Sequence, residues 1–393
     1  MANVRAVRLL RAVLALAAVL LALLPGRAEA YPWMIRHGYT NCAQCHVDPS
    51  GGGVLTEYGR GQGEILVRTH YKKMTEAPGK QAEFLFGLLP LPDQVLLQAD
   101  VRSMFIPQPG NMRFILMQGD LRAAVKAGPF LATGTLGTVS EGGQGAWVTG
   151  NDTGWNLVAR EYWAGITPAK GWMIKAGRMN LPYGIRTENH ILYTRSATRT
   201  TTNDDQQVGA AVSYVSKRFR AEVMGIAGNF QVRPDVFRER GYSLYGTWAP
   251  EKTLELGVSS LVTVSEADVE TLAPRLRQAH GVFTRYAPIE PLAILAEASV
   301  LMSNDAGTAS TGLVANAVLD WEPKQGIHLM GIGGYCDPSF ADPAAPAYTA
   351  GGAVQWFLAP RFDLRVDVMQ GVLYCTPGAE ARPLGLLQGH VYL

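Results

Sequence analysis

The chain has 393 residues, of which 47% are hydrophobic and 17% are charged, and its formal net charge is +2. A near-neutral chain has no excess of basic charge to attract a phosphate backbone, so nucleic acid is not an expected partner. The length exceeds what one compact core usually fills, and the 43 glycines favour a large β structure over a helical one.

Residues 1–30 have the three parts of a secretory signal peptide. Three arginines precede an unbroken apolar run at residues 12–24, and a small-x-small cleavage site follows at residues 28–30. The alternative is an uncleaved membrane anchor, but the apolar run is too short for a spanning helix. We therefore expect an exported protein whose mature chain begins at Tyr31.

Cys42, Cys45 and His46 form a C-x-x-C-H run, the attachment signature of a c-type haem. Two thiols at this spacing can form thioether bonds to the two vinyl groups of one haem, and the histidine that follows can bind the iron. The alternative is a redox or zinc pair that happens to precede a histidine, although no second pair is present for a four-cysteine zinc site. The motif predicts one covalent haem c in residues 31–80, with His46 as an axial ligand.

The second axial position of such a haem has four candidates nearby in the sequence. They are Met34, His37, His70 and Met74. A second ligand would make a pure electron-transfer centre, whereas an open position would allow small-molecule chemistry. Because residues 46–80 have little apolar content of their own, we expect a haem plug in or under a larger structure. A flexible haem arm is the alternative.

From about residue 95 onward, apolar and polar residues alternate with a period of two. Near the C-terminus, for example, Phe362, Leu364 and Val366 alternate with Asp363 and Arg365. The segments run about ten residues, which is the length that a tilted membrane-spanning strand needs. This pattern predicts strands that are apolar on one face and polar on the other.

Short turns separate these segments and alternate with longer polar loops. The turns are expected at Gly128-Pro129, Pro168-Ala169-Lys170, Lys217-Arg218, Pro250-Glu251-Lys252, Pro288-Ile289-Glu290, Pro323-Lys324-Gln325 and Pro360-Arg361. The loops are expected at residues 107–111, 141–156, 180–207, 228–240, 264–273, 303–312, 335–348 and 374–383. Fifteen connections predict an all-β fold, a 16-stranded transmembrane outer-membrane β-barrel in residues 81–393 with both termini periplasmic. A soluble all-β protein is the alternative.

The loop near residues 180–207 is longer than a plain connection. Arg178, Arg186, His190 and Arg195 lie in or beside it and are candidate pore or loop residues. A loop of this length can fold into the lumen, where arginine could set the polarity of the pore or contact the haem carboxylates. A solvated surface loop is the alternative.

Cys336 and Cys375 fall in two neighbouring long loops of the predicted barrel. Loops on adjacent hairpins come close together at a barrel rim. With the other two cysteines assigned to haem, these two most simply form a disulfide in an oxidising compartment. Two free thiols are the alternative.

The stretches that flank the haem motif, at residues 31–39, 48–53 and 55–60, complete a recognisable arrangement. With a haem at the N-terminus and a barrel to the C-terminus, the chain resembles the fused monohaem cytochrome–porins of Gram-negative outer membranes. The resemblance implies an outer-membrane protein, and the best understood members oxidise iron(II). The triple glycine at residues 51–53 departs from the more hydrophobic stretch of the iron oxidases, which leaves the electron donor open.

We expect electron transfer between an extracellular donor, with Fe(II) the first candidate, and a periplasmic c-type cytochrome or other acceptor. Outer-membrane lipid is then a further partner. Two alternatives from other classes are a diffusion porin with a haem plug and a small haem enzyme. Whether the protein is an enzyme, and in which direction electrons flow, stay open.

Overall fold

The structure is a computed structural model of the whole chain. It describes residues 31–71, 83–108, 111–139, 156–187, 189, 191–232, 234–344, 346–372, 374–376 and 378–393. The predicted signal peptide, Met74 and His190 lie outside the described residues. Within the described part of the chain, none of the helices has the length and apolar character needed to cross a membrane.

The strands form one closed antiparallel barrel, which confirms the predicted 16-stranded fold. The first strand, β1, pairs with the last, β16, through Asp100 opposite Tyr392, so the described sheet closes on itself. Strand β4 has two parts, both paired with β3. The strands are β1 Val95–Gln108, β2 Asn111–Ala127, β3 Phe130–Val139, β4 Asn156–Val158 with Tyr162–Ala169, β5 Trp172–Met179, β6 Gln207–Val215, β7 Phe219–Gly228, β8 Arg240–Glu251, β9 Leu254–Ser265, β10 Arg275–Ile289, β11 Leu292–Asp305, β12 Thr308–Lys324, β13 Ile327–Asp337, β14 Ala347–Ala359, β15 Phe362–Gly371 and β16 Arg382–Tyr392.

The two faces of the wall differ in polarity, as the alternating sequence requires. In β7, Phe219 and Val223 are exposed on the outer face, whereas Arg220 and Glu222 are buried on the inner face. Successive side chains of a strand point to opposite faces, so the same alternation recurs around the barrel. The outer face is the apolar surface that a bilayer requires, and the inner face is polar.

All seven predicted short turns connect consecutive strands at one end of the barrel. Gly128, Gly171 and Gly326 adopt the left-handed conformation in three of them. A tight turn between two paired strands needs a residue with positive φ, which glycine adopts without steric cost.

Two predicted long loops at the other end are wrong. Strands β11 and β12 stay paired up to Asp305 opposite Thr308, so only Ala306 and Gly307 form the turn in place of a loop at residues 303–312. Likewise, β1 and β2 pair up to Gln108 opposite Asn111, which leaves two residues between them. The strands extend beyond the apolar part of the wall, because the backbone hydrogen bonds between paired strands do not depend on whether the side chains are polar.

The N-terminal segment, residues 31–71, lies inside the barrel and is called the plug below. It contains only short helical turns, at Pro32–His37, Cys42–Gln44, Glu57–Gln62 and Gly63–Val67. Its core is completed by the wall, because the Trp33 ring lies 4.9 Å from the ring of Tyr31, 4.2 Å from that of His328 and 6.0 Å from that of Phe357. The plug therefore folds against the inner face of the barrel.

A disulfide joins Cys336 and Cys375, whose Cα atoms are 5.8 Å apart. Cys336 is the penultimate residue of β13, and Cys375 lies in the connection between β15 and β16. The buried Cys336 packs with Tyr193, Val314 and Val372 at the long-loop end of the lumen. The bond therefore fastens the long-loop end of β13, where a loop was predicted for Cys336, to the connection between β15 and β16.

We expect a charged side chain on the outer wall to destabilise the barrel. The loss of stability should be larger the deeper the side chain lies in the bilayer. Val258 lies in the middle of β9 and is 55% exposed on the outer face. Val258→Arg should lower the free energy of unfolding by about 2–4 kcal/mol, because lipid cannot solvate the guanidinium. The measurement is urea unfolding of the protein refolded into phosphatidylcholine vesicles.

The matched control is Val264→Arg, because Val264 is 51% exposed near the long-loop end of the same strand. Its cost should be about 0–1 kcal/mol, since the guanidinium reaches water there. Equal losses in the two variants would contradict a membrane-spanning position for β9.

Candidate functional site

The plug is fastened to the wall at its N-terminal end by a buried guanidinium. Arg36 is ion-paired with Asp320 and lies 3.1 Å from a carboxylate oxygen of Glu322. Both carboxylates belong to the short-turn end of β12. Burial of charged groups is tolerated only when they are paired, so this contact fixes where the plug enters the lumen.

The cysteine motif forms one helical turn within the plug. The amides of Cys45 and His46 both donate to the carbonyl oxygen of Cys42, at 3.1 and 2.9 Å. The side chain of Asn41 caps the turn by accepting from the Ala43 amide at 2.9 Å. The turn is the reason that two cysteines three positions apart present their thiols to the same cavity.

Both thiols are free and line one cavity, called the thiol cavity below. It has about 60 Å³ of space for water-sized molecules. Its walls come from the plug, from the segment after β5 and from strands β7, β8 and β10. The apolar part of the lining includes Tyr31, Met34, Leu55, Val67, Ile185 and Phe283, and the guanidiniums of Arg186, Arg220 and Arg285 complete it.

The environment of the thiols does not favour a redox-active pair. Burial raises the pKa of the Cys45 thiol to about 11, and the nearby Cys42 adds to this effect. Thiol–disulfide exchange needs a thiolate, which a raised pKa makes scarce at neutral pH. The Arg220 guanidinium lies 2.9 Å from the Cys42 sulfur, but it is also held by Glu255 at 2.6 Å.

The triple glycine at residues 51–53 has a structural cause. Gly51, Gly52 and Gly53 all have positive φ, at 95°, 82° and 66°. A Cβ on Gly51 would lie 3.2 Å from the Cys42 sulfur. The chain therefore reverses tightly over the thiols, in a conformation that other residues rarely adopt.

The described candidates for the distal haem ligand lie in different parts of the structure. Met34 lines the thiol cavity together with both cysteines. His37 instead lies 3.9 Å from Glu322, and His70 lies 3.2 Å from the carbonyl oxygen of Ile65. Neither histidine lines the thiol cavity, because the plug turns them toward the barrel wall and its short-turn end.

His46 is buried and faces a second cavity, on the other side of residues 51–53. This arginine cavity has about 60 Å³ of space for water-sized molecules and is lined by Arg102, Arg122, Arg160 and Arg186. Gly52 and Arg186 line both cavities, so the two adjoin. Paired thiols, apolar walls and nearby guanidiniums match the chemistry of a covalently attached haem, whose carboxylates need cationic partners.

The segment between β5 and β6 also lies in the lumen. Tyr183 donates to the Ser299 hydroxyl at 2.8 Å, and Arg195 is ion-paired with Glu297, both on β11. Arg186 donates to the carbonyl oxygen of Gly51, which ties this segment to the plug. The segment therefore holds the plug from the long-loop side.

Arg178 was expected to open this segment, but it belongs to the end of β5. It is paired in the ladder with Val208 and Tyr162, and its guanidinium donates to the carbonyl oxygen of Arg160 at 3.0 Å. The ladder extends one residue past Arg178 because Met179 still pairs with Gln207.

Sequence reasoning missed the ion pairs that hold the middle of the plug. The ammonium of Lys175 lies 2.7 Å from Asp48 and 3.1 Å from Glu222. Burial alone would raise the pKa of Asp48, but Lys175 and Arg186 outweigh it and hold this pKa well below its usual range. Lys175 and Glu222 are inner-face residues of β5 and β7. Their alternation with apolar neighbours in the sequence could have indicated that both side chains point into the lumen.

Among the described residues, no group of three or more His, Cys, Asp or Glu side chains is arranged to hold a metal ion.

No protein-family model and no characterised protein matches the chain by sequence. Solved structures match its fold. OmpT, an outer-membrane protein of Vibrio cholerae, has a TM-score of 0.60 and 9% identity over 77% of this chain and 99% of that one. The outer membrane channel DcaP of Acinetobacter baumannii has a TM-score of 0.55 and 12% identity over 76% and 97%. The anion-selective porin from Comamonas acidovorans has a TM-score of 0.56 and 12% identity over 76% and 99%. The chain therefore has the fold of a porin barrel.

Lys175→Met should destabilise the protein by about 3–5 kcal/mol, because Asp48 and Glu222 would lose a buried partner. The measurement is urea unfolding in detergent, followed by tryptophan fluorescence. Lys126→Met is the control, since Lys126 is exposed at the end of β2. If the two variants were equally stable, the lysine would not hold the plug.

Asp204 should contribute a fall in the free energy of unfolding as pH rises from about 4 to about 6. Burial raises the pKa of Asp204 to about 6, Arg160 opposes this shift, and Asp205 adds to it. Because the ordinary pKa is about 3.9, the folded state binds more protons than the unfolded state in this window. Asp204→Asn should remove this contribution to the pH dependence and raise the free energy of unfolding at pH 7.

Urea unfolding at four pH values between 4 and 7 measures the difference between wild type and Asp204→Asn. Asp342→Asn, in an exposed connection, is the control and should leave the pH profile unchanged. A profile that Asp204→Asn does not alter would show that this carboxyl titrates alike in both states.

Proposed function

We propose that this protein transfers electrons across the outer membrane through one haem c, held inside the barrel by Cys42 and Cys45. The observation that carries the proposal is the position of the two thiols, which share one helical turn and face one apolar cavity in the lumen. A bound haem would supply a one-electron carrier at this position.

The protein's own contribution is to bring a carrier into the bilayer without exposing it to lipid. A bilayer has an apolar core of about 30 Å, which one small cofactor cannot bridge. The barrel replaces lipid with a polar lumen, and the plug fills that lumen with fixed groups. A donor then needs to reach only the long-loop side, and an acceptor only the short-turn side.

Around the thiols, each kind of residue has a separate task. Met34, Leu55 and Phe283 give apolar contact and exclude water from the thiol cavity. Arg220 and Arg285 offer cationic partners for the haem carboxylates. His46 would be one axial ligand, which requires its ring to turn from the arginine cavity toward the thiols. Met34 is the distal candidate that shares the thiol cavity with both cysteines.

The remaining features complete the proposal. A cleaved signal peptide at residues 1–30 would deliver the chain to the periplasm, and both termini would lie there after assembly. A periplasmic c-type cytochrome is the expected acceptor at the short-turn side, where Tyr31 and Trp33 pack. The resemblance to cytochrome–porins supports Fe(II) as the metal of the extracellular donor.

A diffusion channel is the second candidate. The fold is shared with proteins described as an outer membrane channel and an anion-selective porin, which favours this function. The plug opposes it, because residues 31–71 and the segment after β5 occupy the lumen together. Haem would then have only a structural role.

The first test compares the two cysteine pairs of the chain in cells that attach c-type haem. Cys42→Ser/Cys45→Ser should lose the haem that stays bound on a denaturing gel, whereas Cys336→Ser/Cys375→Ser should keep it. Equal haem staining of both double variants, or none in wild type, would contradict the proposal.

The second test mixes oxidised, detergent-solubilised protein with Fe(II) and follows haem absorbance by stopped flow. Rapid reduction is expected, and dithionite gives the full amplitude for comparison. If dithionite reduces the haem but neither Fe(II) nor its complexes do, Fe(II) is not the metal of the donor. Large, steady conductance of the holoprotein in planar bilayers would favour the channel instead.

A further inference from the structure

We infer that a hydrated divalent metal ion binds in the lumen at Asp204, Asp205 and Gln207, and that this site holds the Fe(II) of the electron donor. These residues line neither the thiol cavity nor the arginine cavity. The inference rests on the proposed function and adds to it the place at which the metal of the electron donor binds.

The three residues line a wide cavity at the long-loop end of the lumen, called the vestibule below. It has about 570 Å³ of space for water-sized molecules, compared with about 60 Å³ in each of the two cavities beside the plug. Its walls include the segment after β5, the long-loop ends of β10, β11 and β12, and the connection that contains Cys375. The vestibule is therefore large enough for a metal ion that keeps most of its water ligands.

Both carboxylates have oxygen lone pairs that are open to a ligand. Asp204 and Asp205 follow one another in a turn, in which Asp205 accepts from the Thr201 amide at 2.7 Å. Asp204 accepts no hydrogen bond from the residues that the structure describes, because the guanidinium of Arg160 lies 3.9 Å away. A carboxylate has two oxygens with about four lone-pair sites, so the bonding to Thr201 leaves some of them open.

Gln207 offers a third oxygen. The residue is 8% exposed, and its side-chain carbonyl oxygen accepts no hydrogen bond from any described residue. A buried polar atom without a partner is unfavourable, and a cation in the vestibule would provide one. Gln207 begins β6, directly after the turn that contains both aspartates. Carboxylate and amide oxygens are the ligands that hard divalent cations prefer.

The arginines that line the vestibule are paired with other carboxylates. The pairs are Arg199 with Asp268, Arg238 with Asp235, Arg275 with Asp305 and Arg277 with Glu239. Asp204 and Asp205 therefore add negative charge to a lining whose positive charges already have partners. Such a cavity attracts cations.

The charges of the two aspartates are incompletely compensated. Burial raises the pKa of Asp204 to about 6, and the charge of Asp205 adds to this effect, although Arg160 and Arg178 oppose it. Burial also raises the pKa of Asp205. A dication beside both carboxylates would favour their charged forms, which the nearby guanidiniums do not achieve alone.

The site adjoins the plug on its inner side. The turn that contains both aspartates also contains Thr202 and Asn203, which line the arginine cavity beside His46. On its other side the vestibule is bordered by the long connections, from which an extracellular donor would arrive. One electron would leave the bound Fe(II), which becomes Fe(III), and ferric haem would accept it, with no proton or ligand transferred.

The first experiment measures binding without electron transfer. Mn(II) is titrated into the detergent-solubilised holoprotein, and the EPR signal of the hydrated ion gives the free concentration. Wild type should bind one ion per chain, and Asp204→Asn/Asp205→Asn should weaken binding about tenfold or more, since two charged ligands are lost. The matched control is Asp342→Asn/Glu380→Gln, which removes two exposed carboxylates of the long connections and should leave binding unchanged.

Gln207→Leu separates ligation from attraction by charge, because it keeps both aspartates and removes only the amide oxygen. It should weaken Mn(II) binding about threefold to tenfold. Absence of one-to-one binding to wild type would overturn the inference, as would equal weakening in the aspartate variant and its matched control. Unchanged binding in Gln207→Leu would remove Gln207 from the site.

The second experiment mixes the same variants with hydrated Fe(II) and with dithionite. Asp204→Asn/Asp205→Asn should slow reduction by Fe(II) about tenfold below saturation and should not slow reduction by dithionite. If Mn(II) binding is lost while reduction by Fe(II) keeps its rate, the site does not hold the electron donor and the inference fails. Absence of haem, or a haem that dithionite reduces and Fe(II) does not, is instead a failure of the proposed function.

Discussion

The inner wall of this closed barrel buries acids and bases on most of its strands, and an unpaired charge there would cost several kcal/mol. Some of these charges pair with one another between nearby strands. The plug and the segment after β5 supply partners for others. Asp48 of the plug meets Lys175 of β5, Arg36 meets Asp320 of β12, and Arg195 meets Glu297 of β11.

This pairing explains how a segment with so little core can hold a fixed shape. About forty residues with only short helical turns cannot bury enough apolar surface to fold alone. Here the wall acts as the missing half of the core, through Phe357 and His328 around the Trp33 ring. The thiol cavity keeps its form because its walls belong to strands that the barrel has already fixed.

The barrel could be predicted because its signals are local. Alternation within ten residues and turns of two or three residues are visible in any short window, and they placed seven turns correctly. The loops predicted at residues 107–111 and 303–312 were wrong, because a run of polar residues near a barrel rim has the same sequence pattern whether it pairs as a strand or forms a loop. Arg178 was assigned to a loop for the same reason.

The site was predictable only in part, because its contacts join distant parts of the chain. Cys42, Cys45 and His46 are a local motif, but Asp48 and Lys175 are 127 residues apart and nothing in either neighbourhood points to the other. The division of the lumen into two cavities depends on the backbone of residues 51–53. A sequence shows three glycines there, but not that two cavities share them.

The enclosure of Cys42 and Cys45 has a consequence for the order of assembly. Residues 31–71 precede every described strand in the chain, whereas the barrel closes only when β1 pairs with β16, which ends at Tyr392. After closure, the two sulfurs lie behind the wall, the plug and the segment after β5. A bulky group bonded to these cysteines must therefore be joined to the chain before the plug and the segment after β5 pack into these positions.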